Sequence, residues 1–350
     1  PPLAALLVAA AVSHRRLLLP AGAAATLLLA TALVPGTAHL ALAIPAFAAA
    51  AVLAALTWRG REVAAGAWRD YVTLTKPRVM TLLLLTGLCG AAVGAHGRPS
   101  LSLLAVTFVG LALACGGAAA LNHVMDRDID KLMGPRTASR PVAAGRLTAP
   151  RALEFGLALS AASFTLLAST TNLLTAVLAL VGNLFYVVVY TGYLKRRGPQ
   201  NIVLGGVAGA VPPLVGYAAA TGSIAVPALW LFAIVCLWTP PHFWALALLI
   251  REHYERAAVP MLPVVRGERF TVKRILGYTI VMVAATVVPF ATGTFGVLYL
   301  GAALALGALF VAFSVQLLRT PTRKLAAGLF HYSLLYLALL FVAAALDPLL

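Results

Sequence analysis

Eleven long apolar runs constrain this chain more than any other feature. They fall at 17–34, 39–57, 79–95, 101–121, 152–169, 173–190, 202–221, 227–249, 275–292, 297–318 and 325–346. About 20 apolar residues cross a bilayer as a helix. The sequence is 62% hydrophobic and only 10% charged, whereas soluble domains carry about 25% charged residues. The fold class this predicts is an all-α polytopic membrane protein.

The basic residues order the runs. Of the 26 Lys and Arg, 25 fall in alternate connections, and only Arg98 lies on the other side. By the positive-inside rule the basic connections face the cytoplasm, which predicts a multi-pass protein of the cell membrane with its polar loops cytoplasmic. The net charge of +16 then reflects topology, and no nucleic-acid partner is expected. Cys89, Cys115 and Cys236 sit far apart in apolar runs, with neither disulfide nor metal spacing.

Residues 1–66 are Ala/Leu-rich and poor in polar groups. They read as about two extra N-terminal transmembrane helices, distinct from a core at 67–350. The first residue is Pro1, so a longer product is expected. The stretch 59–78 is charged and amphipathic, suited to the membrane interface.

The densest polar stretch, NHVMDRDIDKLMGPRTASRPVAAGRLTAPR at 122–151, lies between two of the apolar runs. It holds three of the ten acidic residues and six of the 26 cations. Desolvating such charge beside a bilayer is costly. Asn122, Asp126 and Asp130 are four residues apart, so on a helix they line nearly one face over about 12 Å. One amide and two carboxylates suit Mg²⁺, which completes its shell with water and substrate phosphates. Asp128 falls at roughly 240° around the wheel and is expected to pair with an Arg. An EF-hand loop would need Gly and Glu where Lys131 and Thr137 stand, and is excluded.

Three further stretches carry polar groups at the ends of apolar runs. VTLTKPRV brings Lys76 and Arg78, and YTGYLKRRGPQN brings Lys195, Arg196 and Arg197. The second serves equally as a topological anchor or as a phosphate clamp, whereas the first on its own reads as an anchor. The following run holds Gly205 and Gly209 in a G-x-x-x-G, which predicts close helix packing. WTPPHFWALAL places His242 beside Trp238, Phe243 and Trp244, with Pro240 and Pro241 expected to kink the helix. A flat tetrapyrrole or simple aromatic packing would each suit that patch. Glu252 and Glu255 follow and suggest a second cation site, or partners for Arg251 and Arg256. His331, mid-run, reads as a satisfied interhelical hydrogen bond. Two charged loops, at 122–151 and 250–274, echo each other between long runs.

Together these features describe carboxylates for Mg²⁺ and cations for phosphate, above an apolar bundle that can take a long hydrocarbon. A metal-bound diphosphate is a good leaving group. Its departure leaves an allylic cation for an electron-rich acceptor, which is prenyl transfer.

The segments LTKPRV (74–79), NHVMDRDID (122–130), RTASRP (136–141), YTGYLKRRGPQNIVLGGVAGAVPP (190–213), WTPPHFWALAL (238–248) and VPMLPVV (259–265) resemble, in this order, the UbiA-type intramembrane prenyltransferases. The resemblance covers roughly 68–350. It implies nine transmembrane helices around a central cavity, and farnesyl transfer from farnesyl diphosphate to a vinyl group of haem B, a substrate here rather than a cofactor. It implies that Asn122, Asp126 and Asp130 hold diphosphate through Mg²⁺. It implies substrate contacts from Lys76, Arg78, Arg127, Lys131, Arg136, Arg140, Tyr190, Lys195, Arg196, Glu252 and Glu255, with His242 orienting the haem. Two departures stand out. MGPRT (133–137) is one residue longer than the family spacing, and His253 stands where an Asp precedes the Tyr. The extra helices resemble the remnant of a fusion to a haem A synthase-like partner. A quinone-precursor prenyltransferase, and a haem-binding or transport protein without catalysis, remain as alternatives.

Overall fold

The structure, a computed structural model, describes residues 67–350. The two apolar runs within residues 1–66 lie outside the described residues. Among the described residues, nine helices are long and apolar enough to span a membrane. They are α1 (Pro77–Gly94), α2 (Leu101–Met125), α3 (Ala149–Thr170), α4 (Leu173–Arg197), α5 (Asn201–Thr221), α6 (Val226–Leu249), α7 (Glu268–Ala291), α8 (Val297–Arg319) and α9 (Arg323–Leu346). The protein is an all-helical, multi-pass membrane protein.

Each apolar run of residues 79–346 became one of these helices. Their boundaries differ from the sequence reading mainly where charge hides helix. The α7 helix begins at Glu268 rather than 275, because Arg269, Lys273 and Arg274 sit on its first turns and dilute the apolar signal. The α6 helix runs continuously through Pro240 and Pro241. The α5 helix does the same at Pro212 and Pro213. Apolar surroundings favour retaining every other backbone hydrogen bond.

Each helix packs on the next in sequence, and α9 returns to α1, closing a ring; α1–α5 and α6–α9 contacts cross it. The α1–α5 crossing is the tightest point. A methyl group on Gly216 would overlap the Gly87 carbonyl oxygen, and one on Gly90 would overlap that of Pro213. The G-x-x-x-G expectation holds in part. Gly205 receives the Tyr190 ring, whereas a methyl group on Gly209 would meet nothing within 4 Å. Small residues here let backbones touch where lipid supplies no hydrophobic drive.

The short helices Arg127–Met133 and Arg251–Arg256 lie against each other. The two charged loops that echo each other in sequence thus meet at one end of the ring, where Lys76 also lies.

Candidate active site

At the C-terminal end of α2 the helix turns at Asp126 (φ −90°, ψ 6°) and restarts as Arg127–Met133. The four-residue register survives the junction: the Asp126 N–H donates to the Asn122 carbonyl, and the Asp130 N–H to that of Asp126. Asn122, Asp126 and Asp130 are all buried, at 1–2% exposure. The spacing therefore places them on one side, as read from sequence.

Three cations converge on this row. Lys195 Nζ donates to Asp126 Oδ2 at 2.6 Å, and Arg140 Nη1 to Asp130 Oδ1 at 2.5 Å. Lys76 Nζ donates to Asn122 Oδ1 at 2.5 Å. Lys76 adopts a left-handed conformation (φ 52°) just before Pro77, where the ring of the following proline disfavours the right-handed helical region. Asn122 Nδ2 donates to Asp126 Oδ2 at 2.7 Å and to Thr191 Oγ1 at 3.0 Å.

The α4 helix is wound as a π-helix over Phe185–Leu194. This wide winding, frequent at functional sites, lets the Thr191 hydroxyl donate to the Tyr186 carbonyl five residues back. It also puts Thr191 and Lys195 on the face toward α2. Neither the π winding nor Thr191 is visible in the sequence, where the segment reads as an ordinary apolar run.

Burial sets the electrostatics. It lowers the Lys76 ammonium to about 7, with Arg140 and Lys195 pushing the same way. It raises the Asp130 carboxyl, against the pull of Arg140. Asp126 Oδ1 and Asp130 Oδ2 are buried and, among the described residues, accept no hydrogen bond. A bare buried carboxylate oxygen is among the more costly groups to leave unpaired. Two of them on one face fit a divalent, oxygen-preferring cation. Among the described residues no three His, Cys, Asp or Glu side chains come together as a metal site. The donor set is therefore short of a full shell, and leaves room for phosphate oxygens and water, as Mg²⁺ prefers.

The remaining sequence-derived candidates sort by position. Arg196 forms a bidentate pair with Asp128 at 2.7 Å and caps the Met125 carbonyl. This fulfils the expected Asp128–Arg pairing and holds the Asp128 carboxyl well below its usual range, but it commits Arg196 to bracing the turn. Tyr190 stacks on Tyr186 at 5.6 Å. Arg78, Arg127, Lys131 and Arg136 are exposed, and no hydrogen bond or ion pair among the described residues joins them to the cluster. Glu252 and Glu255 are also exposed. They line a cavity of about 400 Å³ with Arg251, His253, Glu268 and Arg323, and that lining includes none of the cluster residues. On their short helix Tyr254 lies about 200° around from Glu252 and about 100° from Glu255, so the carboxylates and the phenol do not share a face. Tyr254 is the residue that faces inward; burial pushes its phenol up to about 12, modulated by Arg140 and Asp126.

Sequence reading also missed His123. It is 1% exposed, and neither ring nitrogen has a hydrogen-bond partner among the described residues. Its neighbour Asn122 was found by spacing; a His one residue on carries no spacing signal. His331, by contrast, is exposed, and its Nδ1 contacts the Ala327 carbonyl of its own helix at 2.8 Å, rather than bonding between helices.

Residues 83–343 match the UbiA prenyltransferase family. A protoheme IX farnesyltransferase of Symbiobacterium thermophilum is 54% identical over 281 residues, covering 80% of this chain and 94% of that protein. One from Marinobacter nauticus is 48% identical over 80% of this chain and 92% of its own. One from Thermus thermophilus is 50% identical over 82% of this chain but only 47% of its own length. Among solved structures, a digeranylgeranylglyceryl phosphate synthase superposes with a TM-score of 0.67 at 18% identity, covering 80% of this chain and 98% of that one. A UbiA homolog from Aeropyrum pernix gives 0.60 at 21% identity, covering 76% and 98%. These structural likenesses establish a shared fold.

Proposed function

The chain belongs to the UbiA prenyltransferase family, and from that premise we propose that it transfers the farnesyl group of farnesyl diphosphate to a vinyl group of haem B, releasing diphosphate and making haem O. Relatives about 50% identical over most of the chain carry the name protoheme IX farnesyltransferase, which supports both the donor and the acceptor. The observation that carries the site assignment is the pair of bare carboxylate oxygens, Asp126 Oδ1 and Asp130 Oδ2, ringed by Lys76, Arg140 and Lys195.

We assign Asn122, Asp126 and Asp130 as the residues that would hold Mg²⁺ with the diphosphate. The ion, when bound, neutralises charge on the leaving group. Before substrate arrives, Lys195 and Arg140 pair with the two carboxylates while Lys76 bonds the Asn122 amide oxygen. Diphosphate brings more negative charge than the two carboxylates, so the ammonium and guanidinium groups turn toward its oxygens as charge develops there. The C1–O bond of the farnesyl group breaks and its electron pair leaves on diphosphate. The vinyl π pair forms the new carbon–carbon bond to C1. The resulting cation beside the porphyrin takes the oxygen of water, whose proton ends on diphosphate or solvent. Burial of the cluster keeps bulk water from the allylic cation.

The concentration of cations at the site end of the helices supports a cytoplasmic location for the site in the cell membrane. The Thermus relative carries as much chain again outside its match. That supports a fused additional segment in such relatives; we propose that a linked or partner enzyme of the haem A synthase kind consumes the farnesylated haem, with residues 1–66 as part of such a junction.

The test is to incubate the purified protein with haem B, farnesyl diphosphate and Mg²⁺ and to identify the pigment by mass spectrometry. Haem gaining one farnesyl and one water is the expected product. Unchanged haem, with farnesyl transferred instead to an added phenolic acceptor, overturns the acceptor assignment.

A further inference from the structure

We propose that His242 is the axial ligand through which this protein holds the iron of its haem acceptor. The inference rests on the haem-acceptor reading above and adds an atom-level contact to it.

His242 lies on α6 and is 6% exposed. Its Nδ1 is 2.6 Å from Ser333 Oγ on α9, and the Ser333 hydroxyl lies 2.7 Å from the Phe330 carbonyl oxygen. A serine hydroxyl has one proton. Were it given to Nδ1, the Ser333 and Phe330 oxygens would face each other at 2.7 Å with no hydrogen between them. The proton therefore goes to the carbonyl, and Ser333 Oγ accepts from Nδ1–H. That fixes the tautomer: Nε2 carries a lone pair and no hydrogen. Among the described residues the ring's one hydrogen bond is at Nδ1, and no group bonds Nε2. A histidine that donates one ring N–H to a fixed acceptor and leaves the other nitrogen bare has the arrangement of a metal ligand.

The surroundings narrow the metal. Among the described residues no three His, Cys, Asp or Glu side chains cluster to hold an ion. A solitary imidazole suits a metal that brings its other ligands, as a porphyrin does for iron. The imidazole is also held between rings. Trp238 stacks on it with centroids 4.2 Å apart and planes at 17°, and Phe330 with centroids 4.8 Å apart and planes at 22°. Trp238 is itself pinned by its indole N–H on the Ser333 carbonyl at 2.8 Å. An iron-bound porphyrin stands across the plane of its imidazole ligand, so it would meet the edges of these near-parallel rings. His242 sits seven residues before Leu249, the end of α6, or about 10 Å along the helix. A haem whose iron sits at that depth can keep its propionates toward the charged end of the bundle.

The experiment uses the full chain in detergent with haem B alone, so that no turnover is needed. The haem is reduced, nitric oxide is added, and the electron paramagnetic resonance spectrum is recorded. Wild type is expected to show the extra nitrogen splitting of a ligand trans to nitric oxide. His242→Phe keeps a ring between Trp238 and Phe330 but has no Nε2, and is expected to lose that splitting. Should that variant not fold, His242→Ala with added free imidazole is expected to regain the splitting that it lacks without imidazole. Ser333→Ala is expected to keep the splitting while weakening haem binding about tenfold or more, the usual cost of removing the partner that orients a ligating His. Haem bound by His242→Phe with the wild-type splitting overturns the ligand assignment and leaves haem as acceptor. Haem not bound by folded wild type overturns both.

Discussion

Asp126→Asn separates the chemical role of the carboxylate from its structural one. The amide is isosteric, and its oxygen can still accept from Asn122 Nδ2 and Lys195 Nζ, which now lie 2.7 and 2.6 Å from Oδ2. Its NH₂ then occupies the bare Oδ1 position and presents hydrogens where a cation should sit. Lys195, largely buried, loses its only ion-pair partner among the described residues; breaking a buried pair costs about 3–5 kcal/mol. Losing a metal-binding charge costs a similar amount of transition-state stabilisation, and at about 1.36 kcal/mol per decade that is about 10²–10⁴-fold in rate. Single-turnover formation of farnesylated haem measures the rate, and a thermal melt in detergent measures stability. The double variant Asp126→Asn/Lys195→Met removes the stranded ammonium and is expected to recover most of the stability but none of the rate. Recovery of rate together with stability would refute a metal-binding role and leave the aspartate as a structural counter-ion.

Three other perturbations test neighbouring parts of the account. Removing Arg140 as Arg140→Ala takes away the group that opposes burial at Asp130, so the Asp130 carboxyl rises further and the acid limb of the pH–rate profile moves to higher pH; an unmoved limb contradicts the coupling. Lys76 is held at about 7, so the ligand-free protein disfavours its charged form, and the fold gains stability as pH rises from about 7 toward the unfolded lysine value near 10.4. Diphosphate favours the charged form, so binding above about pH 7 takes up a proton and weakens with rising pH; calorimetry in buffers of different ionisation heat should detect that proton, and Lys76→Arg should abolish it. Gly216→Ala drives a methyl into the Gly87 carbonyl and is expected to destabilise by at least the roughly 1–3 kcal/mol typical of overpacking, while Gly209→Ala, with nothing within 4 Å, is expected to leave the melting temperature unchanged.

Much of the fold was legible because hydropathy over about 20 residues reports one thing, the need to keep backbone polar groups paired in lipid. The runs at 101–121 and 227–249 became α2 and α6 almost residue for residue. The Asn122, Asp126 and Asp130 row was legible for a similar reason, since a four-residue spacing is local and survives a helix turn. The cations were harder. Positive charge at helix ends serves topology and phosphate binding alike, so Arg78, Arg127, Lys131 and Arg136 looked the same in sequence as Lys76, Arg140 and Lys195. Only tertiary pairing separated them, with Lys195 lying 69 residues from Asp126. The π winding that delivers Thr191 and Lys195 packs against α2 and α5, and no local residue type encodes it. Glu252 and Glu255 were hard to place for a different reason: on a short helix, the Tyr254 between them is the residue that turns inward, and the two carboxylates line a separate cavity.

The central claim is that diphosphate departs from the Asp126–Asp130 row. The most direct measurement is a structure of the protein with Mn²⁺ and a non-hydrolysable thio analogue of farnesyl diphosphate, with the metal located by anomalous scattering. The account predicts metal against Asp126 Oδ1 and Asp130 Oδ2, with the diphosphate group reached by Lys76, Arg140 and Lys195. Metal and diphosphate found instead in the cavity of Glu252, Glu255 and Glu268 would contradict it.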